Sequence, residues 1–160
     1  MMVAVLHDIR SSHNAGSIFR TADGAGVGKL YLCGTTPGPK DRFGRENANL
    51  TKVSLGAEKS VAWEYAKSSK EIILRLKEEG FKILALEQDP RSKSVYRAKI
   101  EPKEKYALVL GNEISGLPGQ ILDICDEVIE IPLRGNKESL NVAVAFGAAA
   151  FLLLRPAGQW

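Results

Sequence analysis

Histidine and cysteine, the side chains most often used in acid–base, nucleophilic and metal chemistry, are few in this sequence and scattered. The two histidines, His7 and His13, both lie near the N-terminus, while Cys33 and Cys125 are far apart. No carboxylate–histidine pair stands at a spacing that proposes a catalytic triad. Two histidines with scattered acids match no metal-ligand pattern, and no metal is expected. The cysteines form no disulfide framework and read as two reduced thiols. Activation must therefore come from arginine, glutamate, serine, asparagine or backbone groups. Such residues gather in three loops: "EQDPRSKS" after Leu86, "GNEISGLPG" after Leu110 and "PLRGNKESLN" after Ile131. Glycine lets a ligand approach the backbone closely. Ser139 and Asn141 stand where the third loop meets an apolar run, and Ser139 is expected to cap the helix that begins there, at its positive end. These are the features of a small-molecule pocket.

The elements that must position these loops follow from the apolar pattern. Residues 3–6, 29–33, 81–86, 106–110 and 127–131 read as strands. Asn14 is expected to cap a helix carrying Ile18, Phe19, Ala22 and Ala25 on one face. Ser69 is expected to cap a second, with Ile72, Ile73 and Leu76, closed at Gly80. Residues 118–124 form a short helix, and a final helix runs to about Leu154. Its small residues, from Ala143 to Ala150, predict packing on more than one side. Strands alternate with helices, so the fold is α/β with a mainly parallel sheet flanked by helices. In such sheets ligands bind beyond the carboxyl ends of the strands, where all three loops fall.

"DGAGVGK" at residues 23–29 imitates two nucleotide-binding motifs and satisfies neither. A phosphate-binding loop needs glycine where Asp23 stands and Ser or Thr where Leu30 stands. A dinucleotide fingerprint must follow a strand and open a helix, and this stretch does the reverse. It reads as a helix end.

The 160 residues suit one domain, 1–160, and a net charge of +3 permits a polyanionic partner without demanding one. No leader-like segment opens the chain, and the apolar run at 140–154 is shorter than the roughly 20 residues of a membrane span. A cytoplasmic protein without a membrane partner is expected. Lys40, Arg42, Arg45 and Lys52, then Arg134 and Lys137, with Arg10 near the first helix, are candidate contacts for a nucleic acid. Phe43 among them is a candidate for stacking on a base.

Three stretches in order are similar to the signature motifs of the SpoU (TrmH) family of the SPOUT superfamily: "NAGSIFR" (14–20), "LVLGNEISGLP" (108–118) and "IPLRGNKESLNVAVA" (131–145). "KVSLGAE" (52–58) also resembles the family's serine–glycine–alanine segment. The resemblance covers residues 3 to about 154. It implies an RNA ribose 2′-O-methyltransferase that uses S-adenosylmethionine, acts on tRNA or rRNA, and works as a homodimer through its C-terminal helix. It also implies a C-terminal deep trefoil knot, a device outside the usual rules of connection. Many relatives carry an extra N-terminal RNA-binding domain, and this chain is expected to lack one. Ile114 stands where relatives often have glycine.

Carried over residue by residue, the resemblance places the methyl donor against Leu86, Gly111, Ile131, Ser139 and Leu140. It makes Arg20 the residue that activates and positions the ribose hydroxyl. Asn14 is implied to hold Arg20 or the second-motif loop, and Glu113 to organise the site within reach of Arg20. Ser139 and Asn141 are implied to bond Arg20, the donor or the ribose. Two other readings stay open: a knotted RNA-binding or assembly factor without catalysis, and a methyltransferase of the same superfamily acting on an RNA base.

Overall fold

The computed structural model describes residues 1–98 and 100–154. Seven strands form one sheet: β1 (Met2–His7), β2 (Lys29–Cys33), β3 (Ala62–Ala66), β4 (Phe81–Leu86), β5 (Lys93–Ser94), β6 (Lys105–Leu110) and β7 (Glu127–Glu130). Their order across the sheet is β3-β2-β1-β6-β4-β7-β5. Every pairing is parallel; Val5 of β1, for example, stands opposite Val109 of β6.

Parallel strands covered on both faces must be apolar at consecutive positions rather than alternate ones. Here successive residues divide between two cores. Ala4, Leu6, Leu30, Leu32, Leu108 and Leu110 face one cluster, and Val3, Val5, Tyr31, Cys33, Ala107 and Val109 the other. The first face is covered by α1 (Ser12–Ala25), α2 (Ala48–Ser54), α3 (Ala57–Ser60) and α6 (Val142–Leu154). The second is covered by α4 (Ser69–Glu78) and α5 (Gly119–Leu122).

The expected α/β architecture is present, with several local corrections. Strand β3 and the helices α2 and α3 arise in a stretch from which no element was expected. The caps are displaced. Ser11, not Asn14, caps α1, its hydroxyl accepting the Asn14 N–H at 3.2 Å. Ser68, not Ser69, caps α4. Asn141, not Ser139, caps α6: its side-chain oxygen accepts the N–H groups of Ala143 at 3.0 Å and Val144 at 3.4 Å. In α6, Phe146, Ala149, Ala150 and Leu153 are buried, while Val144 and Phe151 are 58% and 56% exposed. Within one chain this helix packs both into the first core and along α1, where Gly147 lies against Thr21, so the expectation of packing on more than one side holds. The "DGAGVGK" stretch is the helix end it was read as, with Gly26 in the left-handed cap position. Among the described residues no helix is long and apolar enough to cross a membrane.

Candidate active site

The loops after β4, β6 and β7 converge on the N-terminal end of α6 and the first turn of α1, and enclose an open pocket of about 460 Å³. Leu86, Gly111, Ile131, Ser139 and Leu140 all line it, and so do Asn14, Glu113 and Asn141. Arg20 does not. It is exposed on α1, with no hydrogen-bond or ion-pair partner among the described residues.

A chain of hydrogen bonds ties the three motifs together. The Glu113 carboxylate accepts the N–H groups of Arg10 at 3.0 Å and Ser11 at 3.2 Å, and the side-chain amide of Asn14 at 2.9 Å. Asn14 in turn accepts the side-chain amide of Asn141 at 3.1 Å. The polarity of the chain is fixed at both ends. Glu113, ionised, only accepts, and the oxygen of Asn141 is committed to the α6 N–H groups, so each amide has one orientation. Asn14 can do this because Ser11 has taken over the cap. Thus Asn14 holds the second-motif loop, not Arg20, and Glu113 binds Arg10 through its backbone. Burial works to raise the Glu113 carboxyl, but the hydrogen bonds from Arg10, Asn14 and Ser11 outweigh it and hold the group below the usual carboxylate range.

The second-motif loop is also braced from residues that sequence reasoning missed. Glu87 accepts the Leu117 N–H at 2.8 Å beside Gly116, which has φ +64°; a Cβ there would collide with the Glu87 carboxylate. Asn112 donates to the Asp8 carbonyl at 2.7 Å and accepts from Ile114 and Ser115 at 2.9 and 3.1 Å. The only hint was that both stand in the loops of interest. Ile114 is not among the positive-φ residues, so the backbone there does not require the glycine of its relatives.

The wall of the pocket has a clear electrostatic sign. Glu87, Glu113 and Glu130 line it, and among the described residues no lysine, arginine or histidine does. Its apolar part includes Leu86, Leu110, Ile131 and Leu140. The site suits a ligand with both apolar and polar parts and a positive charge.

The candidate RNA contacts Arg10, Arg42, Arg45 and Arg134, with Lys40, Lys52 and Lys137, are all exposed. Arg10 adjoins the site through its backbone bond to Glu113, and Arg134 follows the pocket residue Leu133. Arg42 and Arg45 lie on a projection after β2.

The fold also brings together a group that sequence spacing concealed. The Nδ1 of His7 lies 2.6 Å from the Ser69 hydroxyl, and its Nε2 lies 3.4 Å from Asp8. Ser69 is 5% exposed and lines no described pocket, so this is a hydrogen-bonded anchor for α4. Burial pushes both free thiols, Cys33 and Cys125, up to about 12, so neither is a thiolate at neutral pH.

Known proteins are similar to this chain in sequence and in fold. The chain is 33% identical over 151 residues to the 23S rRNA (guanosine-2′-O-)-methyltransferase RlmB of Escherichia coli, covering 94% of this chain and 58% of that protein. The AdoMet-bound rRNA methyltransferase of Sinorhizobium meliloti superposes with a TM-score of 0.84 at 25% identity, over 94% of this chain and 54% of that one. The TrmH/SpoU tRNA modifying enzyme of A. aeolicus gives 0.80 at 28% identity, over 96% of this chain and 74% of its own. The chain thus spans a little under three fifths of the curated relatives it matches. Residues 1–151 match the SpoU rRNA Methylase family, and with the three motifs joined around one pocket, the chain belongs to that family.

Proposed function

We propose that this domain methylates a ribose 2′-hydroxyl of tRNA or rRNA, with S-adenosylmethionine as donor. The observation that carries the reading is the hydrogen-bonded chain Glu113–Asn14–Asn141 on the wall of a pocket at the carboxyl ends of β4, β6 and β7. The pocket residues fit the donor. The apolar residues of the wall suit an adenine, the tightly packed Gly111–Gly116 loop presents its backbone beside them, and the carboxylates favour a cation.

S-adenosylmethionine, when bound, supplies an electrophilic methyl group on a sulfonium. The chain's own residues must align the hydroxyl with it and assist loss of the hydroxyl proton. Arg20 is the proposed activator. A guanidinium stays protonated at any working pH, so it orients the hydroxyl and stabilises the developing oxyanion, while the proton passes to an RNA phosphate or to water. Ser139 and Asn141, at the pocket edge, position the ribose.

Two further features belong to this reading. The domain is proposed to act as a homodimer through α6. The exposed Val144 and Phe151 form one stripe with Gly147 and Ala148 between them, which a second copy would cover. Gly147 lies against Thr21 of α1, so that interface would also reach Arg20. The C-terminal segment is proposed to close a deep trefoil knot. Support comes from β7, which lies between β4 and β5, a place bounded by chain already laid down. The cytoplasm, where the RNA and the donor occur, is the proposed compartment.

The deciding experiment transfers labelled methyl from S-adenosylmethionine to tRNA and, separately, to rRNA from cells lacking the protein. The products are then digested to nucleosides. Label in a 2′-O-methylated nucleoside is expected. Label on a base would overturn the ribose assignment, and donor binding without transfer to any RNA would favour an RNA-binding factor.

A second result tests the donor site. A Cβ on Gly111 would lie 2.5 Å from the Leu117 nitrogen and closer still to Gly116. Gly111→Ala must displace the loop, at an overpacking cost of about 1–3 kcal/mol. Donor affinity is expected to fall about 5- to 150-fold by calorimetry. Unchanged affinity would remove this loop from the donor's wall.

A further inference from the structure

Residues 39–47 form a projection between β2 and α2. Its base is closed by the Asn47 N–H to the Pro39 carbonyl at 2.9 Å and by the bridge between Lys40 and Glu46. Its tip is built around Asp41. That carboxylate accepts the Phe43 N–H at 2.8 Å, the Arg45 N–H at 3.0 Å and the Arg45 Nε at 2.7 Å. The Asp41 carbonyl accepts the Gly44 N–H at 2.9 Å. A tip so well bonded would be expected to bury its one aromatic side chain. Instead Phe43 is 67% exposed and belongs to neither core cluster. The guanidinium groups of Arg42 and Arg45 lie over its ring, 4.7 and 5.2 Å from the centroid.

The two arginines are not equivalent. Arg45 is held by its ion pair with Asp41, whereas Arg42 has no hydrogen-bond or ion-pair partner among the described residues. Arg42 is therefore free to leave the ring. The projection is also placed beside the site. Asn47 donates to the Ser12 hydroxyl at 3.1 Å, and Ser12 shares the first turn of α1 with Asn14. Phe43 lies four residues from Pro39, so an extended strand carries its Cα at most about 13 Å outward from that anchor.

We propose that Phe43 is a stacking platform for one unpaired base of the RNA flanking the target nucleotide. Arg42 moves from the ring face to an adjacent phosphate as the base takes its place. A flat apolar face between two cations fits a nucleobase and its backbone, since every base offers a π-face and every linkage a negative charge. The site selects single-stranded over paired RNA, because a paired base cannot reach the ring. This inference rests on the RNA-substrate reading above.

The test uses the full chain and a short unstructured RNA carrying 2-aminopurine, with the same sequence as a duplex for comparison. Wild type should prefer the single strand and quench its fluorescence. Phe43→Leu keeps an apolar side chain and removes the flat face. It should weaken single-strand binding about 5- to 150-fold and abolish the quench, with donor affinity as the control for folding. Arg42→Gln should weaken binding less and lower the salt slope by about one. Wild-type-like binding and quenching by Phe43→Leu, with methyl transfer to RNA intact, would overturn the stacking platform alone. Failure of the wild-type chain to bind or methylate any RNA would overturn both this inference and the reading beneath it.

Discussion

Replacing Asn14 with aspartate should reduce methyl transfer roughly a hundred- to a thousandfold while leaving the fold intact. The two side chains are nearly identical in shape, so packing in the first turn of α1 is unchanged. The chemistry of the contact is inverted. The Asn14 amide donates to Glu113 at 2.9 Å, and aspartate would set a second carboxylate there. Like charges at hydrogen-bond distance cost several kcal/mol, and the loop carrying Glu113 is the part able to yield. The pH dependence separates this account from a general loss of stability. In the wild type, Glu113 is already held below the usual carboxylate range, so it stays ionised through mildly acidic pH. In Asn14→Asp one of the two carboxyls is pushed upward by the other. As pH falls through that raised value, the pair takes up one proton and regains a hydrogen bond. Relative to wild type, the variant should therefore recover as the medium is acidified. Activity within a few-fold of wild type at neutral pH, or parallel pH profiles, would show that the chain through Asn14 does not organise the site.

The parts of this arrangement that sequence made legible are those set by local or two-faced burial. β1, β2, β4 and β6 are apolar runs because both their faces are covered, and β7 buries Val128 and Ile129 between two glutamates. β3 escaped because it is an edge strand, half-exposed, whose central Glu64 pairs with Lys29 and Arg75. The two residues of β5 are too few to leave a pattern. Each displaced cap shows a polar neighbour taking the capping task. Ser11 released Asn14 for the site, and Ser68 released Ser69 for His7. The site itself joins partners 99 and 127 residues apart, which no spacing rule reaches. Only the resemblance of the three motifs brought Asn14, Glu113 and Asn141 together in advance. Glu87 had no such help. A glutamate in a polar loop is unremarkable until the left-handed Gly116 and the Leu117 N–H are seen against it.

Arg20→Ala should lower methyl transfer about a hundred- to a thousandfold, the usual loss when a donor to a developing oxyanion is removed. Donor affinity should be unchanged, because Arg20 forms no part of the pocket wall. Arg20→Lys should recover little, since an ammonium lacks the planar fork. Stability should hold as well, because Arg20 is exposed and has no partner among the described residues. Its place outside its own pocket is the informative feature. Arg20 stands on α1 next to Thr21, which packs against Gly147 beside the exposed stripe of α6. We propose that a second copy covering that stripe brings its pocket toward this arginine, since α6 also lines the pocket through Val142 and Ala145. Mixing Arg20→Ala chains with Asn14→Asp chains then gives a decisive result. If the arginine serves the partner's pocket, each mixed dimer holds one site with both Asn14 and Arg20 intact. Random mixing should then restore about a quarter of wild-type activity, where either variant alone is nearly inactive. If Arg20 serves its own pocket, every site in the mixture lacks one group and no activity returns. Full activity of Arg20→Ala by itself would remove the residue from the mechanism, whichever chain it serves.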